Sequence, residues 1–392
     1  MKKIDLSSYK DYKQYFNFFD VLIKQKNSNK DLFLDKISIA PSSYRKAKKL
    51  NNKNSQLIFG KLCDYFNFKP IEDNVICHVE KLINSVYVNI YYKNNHLLDK
   101  DLENINILLK DNFIIYPILN LFKVLILLSD SKSKPNNILI EYKELIDDVI
   151  SFECFYTEDL KEILELIKVL MYEKLNEKDF IVQFENELIY HILSTKCLLE
   201  KKYFEGIYYA KIAKEKFINN ENYYRVYYTN LTLMSCYNHL LKFREAYDLS
   251  LNQLRSLELK GNNDFEYGAT RLHFVIACLN LNKYDEAISI LEQANKINFS
   301  EFCCLLIALF FVDKKQYDCK VNEFLEKNIT EEIKNTVIHL NEYLLTNRKS
   351  EFFELESAKI NDCIIAFLKK CKKWFYRKKR KNVLYIECFL FF

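Results

Sequence analysis

One five-residue pattern returns three times in the second half of the chain, and it limits the available folds more than any other feature. It reads Lys, aromatic, two variable positions, small residue: Lys202-Tyr203-Phe204-Glu205-Gly206, Lys242-Phe243-Arg244-Glu245-Ala246 and Lys283-Tyr284-Asp285-Glu286-Ala287. A fourth segment, Lys315-Gln316-Tyr317-Asp318-Cys319-Lys320, fits in part: its Lys lies one place early, and Lys320 stands where the small residue belongs. The aromatics at 203, 243, 284 and 317 are 40, 41 and 33 residues apart. Each full copy follows an apolar stretch, such as Ile192 to Leu198 or Phe274 to Leu279, and opens a second one. In the second stretch small residues recur at intervals of three, four and seven, as Gly206, Ala210 and Ala213 do, and again Ala287 and Ala294. Those intervals keep them on one side of a helix. The pattern therefore predicts helix pairs that approach closely, with the aromatic at the turn.

Composition points the same way. The 392 residues include only 4 Gly and 4 Pro, too few for the tight turns and close backbone approaches of a sheet-rich fold. The expected class is all-α. The anchors at Tyr203, Phe243 and Tyr284, with their small-residue faces, resemble tetratricopeptide repeats. Their usual period is about 34 residues, so steps of 40 and 41 imply helices longer by a turn or two. The resemblance implies a right-handed superhelix of hairpins whose first helices line a concave groove. On those first helices His191, Thr195, Tyr224, Tyr228, Asn238 and Asn280 are the candidate peptide-binding residues. An Asn amide both donates to and accepts from an extended peptide backbone, although each of these six also fits an ordinary interhelix or solvated position. Further helices are expected upstream, around Ile105 to Leu109, Leu139 to Ile150 and Leu160 to Met171.

The first 70 residues differ from the rest in charge. They carry 15 Lys/Arg against 6 Asp, and residues 369–392 carry nine against one Glu, so the intervening body is acidic although the chain as a whole is +5. Tyr12 to Lys24 and Asp31 to Lys36 read as helices, Ile37 to Ala40 as a connection, and Pro41 to Lys53 as a basic segment opened by Ser N-capping and a Pro at the helix entrance. A further helix spans Gln56 to Phe66. No Asp or Glu occurs between Ile37 and Cys63. Short helix, short connection and basic helix form the layout of a helix-turn-helix, whose second helix enters the major groove of duplex DNA. In that reading Arg45 addresses a guanine edge, and Ser42, Ser43, Lys46, Lys49 and Lys53 bind phosphate. The competing reading is a Lys-rich solvated helix.

A helix-turn-helix head, carried by Pro41 to Lys53, followed by the anchors at Tyr203, Phe243 and Tyr284, resembles the cytoplasmic peptide-pheromone receptors of Gram-positive bacteria, the Rgg, PlcR and PrgX group, and the arbitrium receptors of phages. The resemblance implies a homodimeric transcription regulator in which a short signalling peptide lies in the groove. The expected domains are 1–70 (head), 71–368 (repeats) and 369–392 (tail). A Rap-like interaction adaptor without DNA binding is the alternative.

Enzyme chemistry finds no foothold. The Gly-rich phosphate loops and the paired-His metal motif do not occur, and His78, His96, His191, His239, His273 and His339 are scattered. No enzyme and no cofactor are expected. The 12 Cys form no metal-type pair and read as small core residues in a reducing cytoplasm. No signal peptide and no integral membrane segment are expected: the apolar run from Phe113 to Leu128 contains Pro117, Asn120 and Lys123 and is short of the roughly 20 residues a span needs. The tail places nine basic residues in thirteen, Lys369 to Lys381, before an apolar end. It suits a capping helix, a DNA contact or an anionic membrane surface.

Overall fold

The structure, a computed structural model, describes residues 3–26, 29–49, 53–69, 72–111, 113–129, 140–175, 183–260, 264–326, 331–346 and Ile364. The basic-apolar tail from residue 369 lies outside these. The described residues are helical, with one isolated bridge between Lys69 and Phe113. They form two compact units, residues 1–196 with 212–225, and residues 197–211 with 226–392.

The first unit opens with α1 (Tyr12–Lys26), α2 (Lys30–Lys36), α3 (Pro41–Lys49) and α4 (Lys53–Phe66). In α1 the residues Tyr15, Phe16, Phe18, Phe19, Leu22 and Ile23 are buried, a spacing that gives one wide apolar stripe. That stripe does not end at the head. Phe18 stacks on Phe152 at 5.3 Å and meets Tyr116 and Phe155. Tyr9 donates from its hydroxyl to the Phe155 carbonyl at 2.8 Å. Residues 1–70 thus share a core with α5 (Asp73–Tyr91), α6 (Asn95–Lys110), α7 (Tyr116–Ser129), α8 (Lys143–Ser151) and α9 (Glu158–Leu175). The apolar run of Phe113 to Leu128 is α7, buried nearly all round, as an interior helix should be. No helix among the described residues is long and apolar enough to cross a membrane.

The repeat segment supplies α10 (Glu187–Leu199), α11 (Tyr203–Asn219), α12 (Tyr223–His239), α13 (Phe243–Lys260), α14 (Asp264–Asn280), α15 (Tyr284–Glu292), α16 (Phe299–Val312), α17 (Lys314–Leu325) and α18 (Glu331–Thr346). Tyr203, Phe243 and Tyr284 are each the first residue of a helix. In the second unit Ala210, Ala246 and Ala287 are wholly buried, which is where close helix approach excludes a larger side chain. Tyr317 departs from the pattern. It is the fourth residue of α17, and Asp313 alone separates α16 from α17, accepting at its carboxylate from the Lys315 and Gln316 amides.

Seven helices close in one way. Ser38, Asn67, Lys93, Lys201, Glu221, Leu241 and Asn282 take φ between 55° and 62°. At each, the next residue's N–H reaches back five residues, as Lys202 to Cys197, Lys242 to Tyr237 and Lys283 to Cys278 do. This is the closure that ordinarily recruits Gly, performed here without one. A left-handed side-chain-bearing residue costs roughly 1–2 kcal/mol, and part of the gain from Gly is returned as unfolded-chain entropy. Leu241 is 62% exposed, so its side chain leaves little packing behind. Leu241→Gly is therefore expected to stabilise the protein by about 1 kcal/mol, read as a higher urea midpoint; a lower midpoint would contradict this account.

Candidate functional site

In the head, α3 buries Tyr44 and Ala47 and turns Ser42, Arg45, Lys46 and Lys49 outward as exposed residues, with Ser43 half-buried. Positions 42, 45, 46 and 49 follow the i, i+3, i+4, i+7 spacing of one helix stripe. Lys53 is exposed at the first position of α4. Ser38 supplies the left-handed residue of the α2–α3 connection. The expected Ser N-cap is replaced: Pro41 is the first helical residue, Ala40 precedes it and its carbonyl accepts from the Tyr44 amide at 3.0 Å, so Ser42 and Ser43 lie inside the first turn.

The head brings its acids to α3 from outside the acid-free stretch. Asp20 accepts from the Tyr44 hydroxyl at 2.8 Å, from Lys48 at 2.6 Å and from Lys30. Burial alone would raise the Asp20 carboxyl, but the hydrogen bonds from Lys30, Lys48 and Tyr44 outweigh it and hold it below the ordinary range. Asp31 lies 3.4 Å from the Arg45 guanidinium, both side chains being mostly exposed, so that pairing is weak and easily exchanged. Lys48 thus serves the fold, while the 42/45/46/49 stripe faces solvent.

The six candidate groove residues fall in both units. In the first unit, the Thr195 hydroxyl donates to the His191 carbonyl at 3.2 Å, His191 meets Phe217 edge-on, and Tyr224 is exposed. In the second, Tyr228 sits edge-on to Tyr227. Asn238 is only 2% exposed and donates to the His273 carbonyl at 3.4 Å, so it joins two helices from the interior. Asn280 donates back to the Ile276 carbonyl of its own helix. Burial lowers His191 to about 3, aided by the Arg225 and Lys93 charges, and lowers His273 to about 4, aided by His239. Both are neutral in the folded protein, while the unfolded chain protonates near pH 6.5. As pH falls below about 6.5 the unfolded state gains protons first, so stability declines through to the folded values of about 4 and 3. Denaturant midpoints are expected to drop between pH 6.5 and 4, and the drop should shrink in His191→Gln and His273→Gln variants that still fold.

A cleft in the second unit lies among residues that the sequence did not single out as candidates, and it arises from a short helix. Helix α15 ends at Glu292 after 9 residues, whereas α11 and α13 run for 17 and 18. Ala294, expected on its small-residue face, lies beyond its end. The chain instead crosses as Gln293–Asn298, leaving the N-terminal halves of α14 and α16 to wall an opening of about 740 Å³. Asn298 then starts α16 with a reciprocal cap, its side chain accepting from the Glu301 amide while Glu301 accepts from the Asn298 amide. At the base Arg271 donates to both Glu301 oxygens, at 2.7 and 3.1 Å, and to the Lys296 carbonyl at 3.0 Å. The pair is buried, at 7% and 1% side-chain exposure. A second opening of about 400 Å³ shares Glu258, Tyr267 and Gln293 with the first and adds Asp285 and Glu286. The only advance signal was two lone charges, Arg271 and Glu301, each opening an otherwise apolar stretch.

Among the described residues no group of His, Cys, Asp and Glu could hold a metal ion. Among the described residues no cysteine forms a disulfide, and Cys63, Cys197, Cys236, Cys278, Cys303 and Cys304 are buried. No family model matches this chain, and neither a curated protein nor a solved structure matches it.

Proposed function

We propose that this protein is a DNA-binding transcription regulator whose α3 docks on duplex DNA, and whose repeats bind a short signalling peptide and pair two copies in the cytoplasm. The observation that carries the reading is the solvent-facing stripe of Ser42, Arg45, Lys46 and Lys49 on a helix seated by Tyr44 and Ala47. Four outward donors without an acid on their own helix suit a polyanion. Helix α1 supports the same orientation, because its Asp20 carboxylate and Phe16 carbonyl accept from the Tyr44 hydroxyl and hold α3 from behind. The test is fluorescence anisotropy of the full chain against duplex DNA from its own upstream region at low salt, repeated as salt rises. Binding that weakens steeply with salt supports the reading; no binding at low salt ends it.

A Rap-like adaptor without DNA binding is the second reading. It is favoured by the shared core of residues 1–70 and the helices that follow, where Phe18 packs on Phe152 and Tyr116. A head built into the body is suited to holding a partner protein as well as to presenting a recognition helix. Stable copurification of one protein, with no DNA affinity, would select it.

A further inference from the structure

We infer that the cleft between α14, α15 and α16 takes a short peptide carrying a Lys or Arg side chain next to an apolar one. This rests on the peptide-binding reading above and narrows it to a site and a ligand chemistry.

Charge argues for the cation. The two joined openings are lined by four carboxylates, Glu258, Asp285, Glu286 and Glu301, against the cations Arg271 and Lys296. Arg271 is already engaged by both Glu301 oxygens and the Lys296 carbonyl, so it neutralises Glu301 and is poorly placed to recruit an acidic ligand. Glu286 is held by Lys283 at 2.6 Å and by the Tyr247 hydroxyl. That leaves Glu258 and Asp285 against the exposed Lys296, a negative remainder. Glu258 accepts only from the Tyr267 hydroxyl at 3.0 Å among the described residues, and a carboxylate accepts several hydrogen bonds. Asp285 is exposed in the first turn of α15.

The apolar half has its own observation. Phe265 stands at the rim with 72% of its surface exposed, and Tyr267 and Leu272 line the wall beside it. With Tyr267 and Leu272 half-buried behind it, Phe265 gives the opening the apolar lining that ligand sites carry beside a few polar groups. The first opening, about 740 Å³, is of a size that holds several side chains rather than one. A free polyamine would satisfy the carboxylates but leave Phe265 uncovered, so the amphipathic peptide fits better.

The experiment is a positional-scanning library of N-acetylated hexapeptide amides, whose ends carry no charge, presented to the full-length protein. The expected result is enrichment of Lys or Arg at one or more positions beside an aromatic or aliphatic one. Glu258→Lys with Asp285→Lys should weaken the best peptide by about tenfold or more, and Phe265→Ala should relax the apolar preference alone. Circular dichroism melting confirms that these exposed substitutions leave the fold intact. Hexapeptides that bind without basic enrichment, or that ignore the double substitution, overturn this inference and leave peptide binding standing. Full displacement by spermine at equal charge overturns it as well. Complete absence of hexapeptide binding overturns both this inference and the peptide-binding reading, while DNA binding is scored separately by anisotropy.

Discussion

Replacing Arg271 with alanine is expected to destabilise the protein by about 3–5 kcal/mol, because it leaves the Glu301 carboxylate buried beside α14 without its partner. Glu301 has 1% side-chain exposure, and the Asn298 amide alone would then answer it. A surface pair such as Arg244 with Asp248, both largely exposed, is worth a fraction of that, and Arg244→Ala serves as the control. Removing both charges together has a different outcome. Arg271→Met with Glu301→Leu removes the desolvated pair and substitutes apolar volume, which ranges from neutral to stabilising in comparable interiors, less the carboxylate half of the α16 cap, since the Asn298 side chain still accepts from the amide at position 301. Urea unfolding of the single and double variants gives the answer. A single Arg271→Ala costing under about 1 kcal/mol would show that the site relaxes or admits water.

The second large effect is on DNA. Arg45→Ala, Lys46→Ala and Lys49→Ala together are expected to reduce affinity by at least about 100-fold, since a base-reading Arg contributes about 1–3 kcal/mol and each neutralised phosphate adds to the salt-dependent part. The slope of log affinity against log salt should flatten by about 0.9 for each phosphate left without its cation. Lys48→Ala is the informative comparison. Lys48 is bound to Asp20, so its removal should lower stability slightly and leave the salt slope alone. A triple variant that binds with unchanged slope would remove α3 as the docking helix.

The helical class and the three hairpin openings are legible because they rest on local rules. Tyr203, Phe243 and Tyr284 announce their helices by an aromatic with a small residue three places on, and α1 by a stripe with a period near 3.6. The basic stripe of α3 is legible for the same reason, since four residues at helical spacing declare a face. What escapes is whatever depends on residues far apart. Asp20 reaches α3 across 24 to 28 positions, so the acid-free stretch looks less compensated than it is. Arg271 meets Glu301 across 30, and only that meeting gives the cleft its floor. The early stop of α15 escapes because Ala294 and Ile297 continue a helical spacing, while the cap at Asn298 competes for the same chain and wins. Asn238 escapes because its burial is decided by the neighbouring helix, to whose His273 it donates.

The seven left-handed closures have a consequence for how the sequence can change. At Ser38, Asn67, Lys93, Lys201, Glu221, Leu241 and Asn282 the backbone is held by the helix before and the segment after, so the left-handed turn does not depend on a Gly standing there. Scanning all twenty amino acids there should yield a shallow profile, with β-branched residues and Pro below the line and Gly, then Asn, above it. The positions that most resemble conserved turn glycines in other helical proteins would then be the freest to drift in this one, and an alignment of its descendants would hide the turns that shape it.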